Sequence, residues 1–267
     1  MQLANKTIVV TGAGGGIGRE LCLQLVQRGA NVAGVDINLA TLDETGRLAG
    51  VGRDRFAGFQ LDITDGEKVS SLPAEVLAHF GVVDGLINNA GIIQPFKLVN
   101  DLSMDAINRV MAVNFYGTLY LTKAFLPHLL ERPEAHIANV SSMGGFLPVP
   151  GQTVYGAAKA AVKLLTEGLY AELKDTNVKV TVIFPGAIAT NIMQNSGLDV
   201  PNADAGSDSQ FKTLSARQAA DQMLAGIEKN QFRVVIGQDA RAMDKLYRLN
   251  PKYAADLIQK KMRSLLR

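Results

Sequence analysis

Apolar residues along the chain follow two alternating spacings. Short runs rich in β-branched residues give way to stretches where apolar positions return every three or four residues. The short runs are 7–12, 31–36, 55–62, 82–91, 135–142, 177–186 and 232–237, and each predicts a strand. The longer spacing predicts helices over 17–29, 39–50, 67–81 (with Pro73 near its middle), 103–131, 153–175 and 216–230. Strands separated by helices join as right-handed parallel βαβ units. The pattern therefore predicts an α/β fold, a doubly wound parallel sheet of seven strands in one domain spanning residues 1–237.

Two segments depart from that rhythm. Residues 190–213 are polar and carry Gly197, Pro201 and Gly206, which predicts a lid over a binding site. Residues 238–267 add a helical C-terminal extension. A break is expected at Asn250–Pro251, because proline disfavours helix at the residue before it. Leu246, Leu249, Leu257, Ile258, Met262, Leu265 and Leu266 should bury against the body or a second subunit. Lys252, Lys260, Lys261, Arg263 and Arg267 should then face water.

Composition narrows the class. Of 267 residues, 47% are apolar and 19% charged, enough to bury a substantial core. The lone cysteine, Cys22, cannot form an intrachain disulfide, and it sits on an amphipathic run that reads as core. His79, His128 and His136 lack ligand spacing, so no metal site is expected. The N-terminus lacks a secretory pattern and no apolar window is long enough to span a bilayer, so a cytoplasmic location is expected. Net charge is +2, yet residues 229–267 hold ten Lys/Arg against three Asp/Glu. That basic tail reads first as a solvated helical face, and second as a contact for an anionic membrane surface. No nucleic-acid partner is expected.

Candidate chemistry begins at "TGAGGGIG", residues 11–18, between the first strand and first helix. A helix N-terminus offers free N–H groups and a positive dipole end, which suit a pyrophosphate, and glycines allow close backbone approach. Asp36 ends the second strand, where a carboxylate can accept hydrogen bonds from a ribose 2′-OH and would repel a 2′-phosphate. Residues 13–15 and Ile37 supply no compensating cation, so the cofactor expected is NAD. In "YGAAK", Tyr155 and Lys159 stand four apart on a predicted helix, hence on one face. A nearby ammonium favours phenolate, and a phenol so tuned can serve as a general acid/base.

"TGAGGGIG", "NNAG" (88–91), Asn114, Ser142, "YGAAK" and "PGAIAT" (185–190) together resemble the short-chain dehydrogenase/reductase family, over residues 5–237. Ser142 lies 13 residues before Tyr155, as the family's catalytic serine does. The resemblance implies a Rossmann fold and hydride transfer between NAD(H) and an alcohol or ketone. It implies that Tyr155 is the general acid/base, that Lys159 lowers its pKa and holds the nicotinamide ribose, and that Ser142 holds the substrate oxygen. The Asn114 backbone would hold a relay water.

Cofactor contacts are implied for Gly12, Gly14, Gly15, Gly16, Ile17, Gly18, Asp36 and Ile37. They are implied also for Asp62 and Ile63, for Asn89, Ala90 and Gly91 along the adenosine, and for Pro185, Gly186, Ile188 and Thr190 near the nicotinamide. Phe146, Ile192 and Met193 would join Ser142 and Tyr155 in an apolar substrate wall, suited to a steroid-like or long-chain alcohol. For Phe146 and its neighbours, packing of the loop against the core is an equal alternative. Reduction of 3-oxoacyl thioesters, oxidation of small polyols, and a non-catalytic dinucleotide sensor are the rival functions. A homo-oligomer, dimer or tetramer, is expected, with the C-terminal extension covering a surface that compact relatives use to pair.

Overall fold

The computed structural model describes residues 1–190, 192–198 and 213–262. The strands are β1 (Thr7–Thr11), β2 (Asn31–Asp36), β3 (Phe56–Gln60), β4 (Gly85–Asn88), β5 (Ala135–Val140), β6 (Val178–Pro185), β7 (Ile188–Ala189), β8 (Leu214–Ser215) and β9 (Arg233–Ile236). The helices are α1 (Gly16–Gln27), α2 (Leu39–Ala49), α3 (Gly66–Phe80), α4 (Met104–Met111), α5 (Gly117–Leu130), α6 (Thr153–Glu172), α7 (Ile192–Asn195), α8 (Ala216–Glu228), α9 (Gln238–Leu249) and α10 (Pro251–Met262).

Seven strands form one parallel sheet in the order β3-β2-β1-β4-β5-β6-β9. Side chains alternate between its faces, as a period of two demands. Ile8, Val10, Val32 and Ile87 pack with α1 and α8 on one side, while Val9, Ala33, Val35 and Leu86 pack with α3 and α5 on the other. Helices cover both faces, which is why the strands read as continuous apolar runs rather than alternating ones. The order reverses between β1 and β4. Neighbouring crossovers diverge there, leaving a crevice at the strands' carboxyl ends.

One departure from the sequence expectation has a local cause. The helix expected over 103–131 is divided into α4 and α5 by a π-helical turn at Ala112–Tyr116. The Asn114 amide donates to the Val110 carbonyl at 2.9 Å, and so competes for an acceptor of the helical ladder. Pro73, by contrast, lies buried inside an unbroken α3. The expected lid at 190–213 lies mostly outside the described residues. Its described part holds α7, and the two-stranded parallel pair β7 with β8 flanks it on either side.

The C-terminal extension is two helices broken at Asn250, whose backbone is extended and whose side chain accepts from the Tyr253 N–H at 3.0 Å. Ala254 and Ile258 of α10 and Leu246 and Tyr247 of α9 pack on Leu147 and Phe146. Leu249 corrects the expectation of burial: it ends α9 facing away from the body, 85% exposed. Lys252, Lys260 and Lys261 face water, while Arg263, Leu265, Leu266 and Arg267 lie outside the described residues. Among the described residues no helix is long and apolar enough to cross a membrane.

This packing predicts a contrast between two apolar residues of the extension. Ile258→Ala should lower stability by about 2 kcal/mol, the low end for truncating a buried isoleucine. Leu249→Ala should change it by no more than about 0.5 kcal/mol. Urea denaturation of both variants checks the pair, and equal effects would contradict the assignment of the inward face.

Candidate active site

The glycine turn after β1 is shaped by what lies against it. Gly12 and Gly16 hold φ of 68° and 52°, the left-handed region where glycine is unstrained. A Cβ on Gly18 would overlap the Gly12 carbonyl, and one on Gly14 would meet Thr41 and Asp36. Gly15 precedes α1 with no side-chain cap, so the first N–H groups of that helix have no acceptor from a capping side chain. A Cβ at Gly15 would find only the Asn195 amide, at 3.9 Å. Uncapped amides beside backbone with space above it fit an anionic phosphate linkage. Ile17 is half-buried and packs against the core.

Asp36 is held from two sides. Its Oδ2 accepts from Gly14 N at 2.8 Å and its Oδ1 from Asn38 N at 3.0 Å. Ile37 beside it is exposed. Sequence reasoning missed Arg19, the cation of this turn. Its guanidinium donates to Gly14 O at 2.6 Å, Thr41 O at 3.3 Å and Thr45 Oγ1 at 3.1 Å. Across the crevice, Thr11 Oγ1 accepts from the N–H groups of Asn89 and Ala90, both at 3.0 Å. Asp62 is exposed and closes a turn on Thr64, while Ile63 is buried and packs where Gly117 has no side chain.

Ser142, Tyr155, Lys159 and Asn114 converge below this crevice. Ser142 leaves β5 in extended conformation, and its Oγ accepts from Gly144 N at 3.0 Å. A Cβ on Gly144 would stand 3.5 Å from both Ser142 Oγ and the Tyr155 ring, so the three share one small space. A Cβ on Gly91 would stand 2.7 Å from Asn114 Oδ1 and 3.1 Å from Lys159 Nζ. Asn114 is fully buried; its side chain brackets Ile92, accepting from N at 3.2 Å and donating to O at 2.9 Å. Ser141 donates to the Lys159 carbonyl at 2.7 Å and serves the packing of α6.

The two titratable side chains are both shifted by burial. Burial pushes the Tyr155 phenol above its ordinary range, and a hydrogen bond with Ser142 opposes that rise. Burial pulls the Lys159 ammonium down to about 8. Lys159 Nζ donates to Val140 O at 2.9 Å. The expected lowering of the Tyr155 pKa by Lys159 is therefore not what this structure displays. The ammonium is turned to a strand carbonyl, and loss of water around the phenol dominates.

Beyond β6, the loop carrying Pro185, Gly186, Ile188 and Thr190 faces the glycine turn, with the Thr190 side chain 3.6 Å from a Cβ placed on Gly16. Asp239, at the start of α9, accepts from Ala187 N at 2.7 Å and occupies the space a Gly186 side chain would need. Ile192 and Met193 are half-buried on α7. That turn is tied to the loop after β4, because Ser196 Oγ donates to Ile192 O at 2.6 Å and accepts from Ile93 N at 2.9 Å.

Phe146 requires a correction. Its ring packs on Phe184 and Tyr247 under the Arg233 guanidinium, so the contacts match the packing alternative rather than a substrate wall. Asp239, Ser196 and Gln94 were also missed in the sequence. Each acts on a partner tens of residues away, Ile93 for Ser196, Tyr155 for Gln94 and Ala187 for Asp239, which no local spacing marks.

Comparison with known proteins agrees with this geometry. Residues 6–201 match the family model described as short chain dehydrogenase. The Mycobacterium tuberculosis protein SadH is 38% identical over 250 residues, covering 91% of this chain and 90% of its own. Mouse dehydrogenase/reductase SDR family member 7B is 38% identical over 73% of this chain and 61% of its own length. Among solved structures, a short-chain dehydrogenase/reductase from Burkholderia phymatum in complex with NAD superposes with a TM-score of 0.85 at 25% identity, covering 95% of this chain and 96% of its own. One from Burkholderia cenocepacia in complex with NADP gives 0.80 at 28% identity, covering 97% and 99%. The chain is an oxidoreductase of the short-chain dehydrogenase/reductase family, built on a Rossmann nucleotide-binding fold.

Proposed function

We propose that the protein is an NAD(H)-dependent oxidoreductase that interconverts a hydrophobic secondary alcohol and its ketone. The observation that carries this reading is the meeting of Ser142, Tyr155 and Lys159 below an uncapped glycine turn. A nicotinamide dinucleotide, when bound, accepts or gives the hydride. Gly12 to Gly18 would hold its phosphates, Asp36 its adenosine ribose, and Asn89, Ala90 and Gly91 its adenosine side. Asp62 and Ile63 would stand near the adenine, and Pro185, Gly186, Ile188 and Thr190 at the nicotinamide. Ser142 would fix the substrate oxygen. During oxidation Tyr155 would take the hydroxyl proton as the carbinol hydrogen leaves as hydride; during reduction it would return that proton to the oxygen. Lys159 keeps a positive charge within the site below pH of about 8, which favours the ionised phenol. Ile192 and Met193, on a turn tied to Ile93, support an apolar substrate. A dinucleotide sensor would have no use for the serine, tyrosine and lysine together.

NAD over NADP follows from Asp36, whose carboxylate would repel a 2′-phosphate. Arg19 Nε and Nη2 are engaged by Gly14, Thr41 and Thr45, and the reading for NAD rests on the Asp36 carboxylate.

Three outcomes are expected. Tyr155→Phe should lose roughly 10²–10⁴-fold in turnover while still binding NADH by fluorescence titration. Near-normal turnover would remove the tyrosine from the chemistry. Steady-state kcat/KM should favour NADH over NADPH, and Asp36→Ala combined with Ile37→Arg should reverse the preference; a wild type preferring NADPH would show that Asp36 is misread.

The third concerns pH. Lysine in an unfolded chain titrates near about 10.4, and Lys159 in the fold near about 8. Between those values the unfolded state binds more protons, so this residue's contribution to stability should rise as pH increases from about 8. NMR of lysines labelled at Cε should show one resonance titrating near 8 that is missing in Lys159→Met. A wild type in which every lysine titrates above about 10 would contradict it.

A further inference from the structure

Tyr155 opens a helix that does not cap itself. Thr153, Val154 and Tyr155 are the first three residues of α6, so their N–H groups have no partner within the helix. Gln152, at the capping position, forms no side-chain cap bond. Its amide instead donates to Gln94 O at 2.8 Å, and its own buried Oε1 has no partner among the described residues.

The missing acceptor comes from 61 residues away, where Gln94 Oε1 accepts from Tyr155 N at 2.9 Å. The Gln94 amide donates to Gly151 O at 2.9 Å, just before the helix begins. Gln94 is 1% exposed, and both polar ends of its side chain are used at the entrance to α6.

Gln94 is itself fixed through the chain that leads to it. Ile92 is bracketed by the Asn114 side chain through both its N–H and its carbonyl. Ile93 N is held by Ser196, just after α7. Three successive residues therefore tie Asn114, the α7 turn and the helix bearing the phenol to one strand exit.

We infer that Gln94 is a positioning residue for Tyr155, setting where the phenol stands relative to Ser142 by hydrogen-bonding the tyrosine's own backbone N–H. The inference rests on the reading of Tyr155 as the proton-transfer group. Misplacing a reacting group by about 1 Å can cost on the order of 10²-fold in rate. Gln94 touches neither the glycine turn nor Asp36, so cofactor binding should be spared.

The test compares Gln94→Met, which keeps volume but removes both hydrogen-bonding ends, with Gln94→Glu, which keeps an acceptor for the Tyr155 N–H. Purified variants are assayed with NADH and a hydrophobic ketone turned over by the wild type. Expected for Gln94→Met is a kcat lower on the order of 10²-fold, with the NADH dissociation constant within about threefold of wild type. Gln94→Glu should recover most of the lost kcat. Wild-type kcat in Gln94→Met, equal losses in both variants, an NADH affinity falling as far as kcat, or a Gln94→Met protein that does not fold would each overturn the inference. Tyr155→Phe runs alongside. If it stays active, the proton-transfer reading fails; if it is inactive while Gln94→Met is unimpaired, the role of Gln94 alone fails.

Discussion

The Thr11 hydroxyl, accepting the N–H groups of Asn89 and Ala90, is the contact on which the crevice depends. Parallel strands on either side of a switch point send their crossovers to opposite faces, so nothing in the sheet itself closes the gap. Thr11 ends β1 and Asn89 follows β4, the two strands flanking that gap. Their bond fixes the separation of the glycine turn from the "NNAG" loop. From there the geometry passes along the chain: Gly91 lies against Lys159 and Asn114, Ile92 against Asn114, and Gln94 against Tyr155. The candidate site is assembled along the segment leaving β4, through close packing at Gly91 and side-chain to backbone hydrogen bonds at Ile92 and Gln94.

A second constraint is electrostatic. Lys159 is 4% exposed and donates to one carbonyl, that of Val140. Burying an ammonium with so little compensation opposes folding, as its lowered pKa records. The fold bears this cost beside a phenol whose ionisation burial also resists. On the proposed reading, placing the two one helical turn apart would give a proton-transfer group and a cation able to steady its charged form. The C-terminal helices support the same region from behind, with Asp239 on the loop after β6 and Leu246 and Ile258 packed near Leu147.

What was legible in the sequence follows from the range of the interactions. Strands covered on both faces leave long apolar runs, so β1, β2, β5 and β6 could be read directly. The break at Asn250–Pro251 was visible because it is imposed by one proline on its neighbour. The π-helical turn was not, since it depends on where the Asn114 amide finds its acceptor. Gln94 and Asp239 left no local trace, because each acts on residues distant in the chain. Phe146 was ambiguous for a different reason: an aromatic residue shortly after the strand that leads to Ser142 suits a pocket or a core equally, and its contacts with the rings of Phe184 and Tyr247 favour packing.

The most direct measurement follows the hydride itself. Purified protein is incubated with NADH carrying deuterium at the transferable C4 position and a panel of hydrophobic ketones, and the product alcohols are analysed by mass spectrometry. The account predicts an alcohol that has gained one deuterium at the carbinol carbon, transferred from one face of the nicotinamide. Saturable NADH binding with no deuterated alcohol from any ketone in the panel would contradict it.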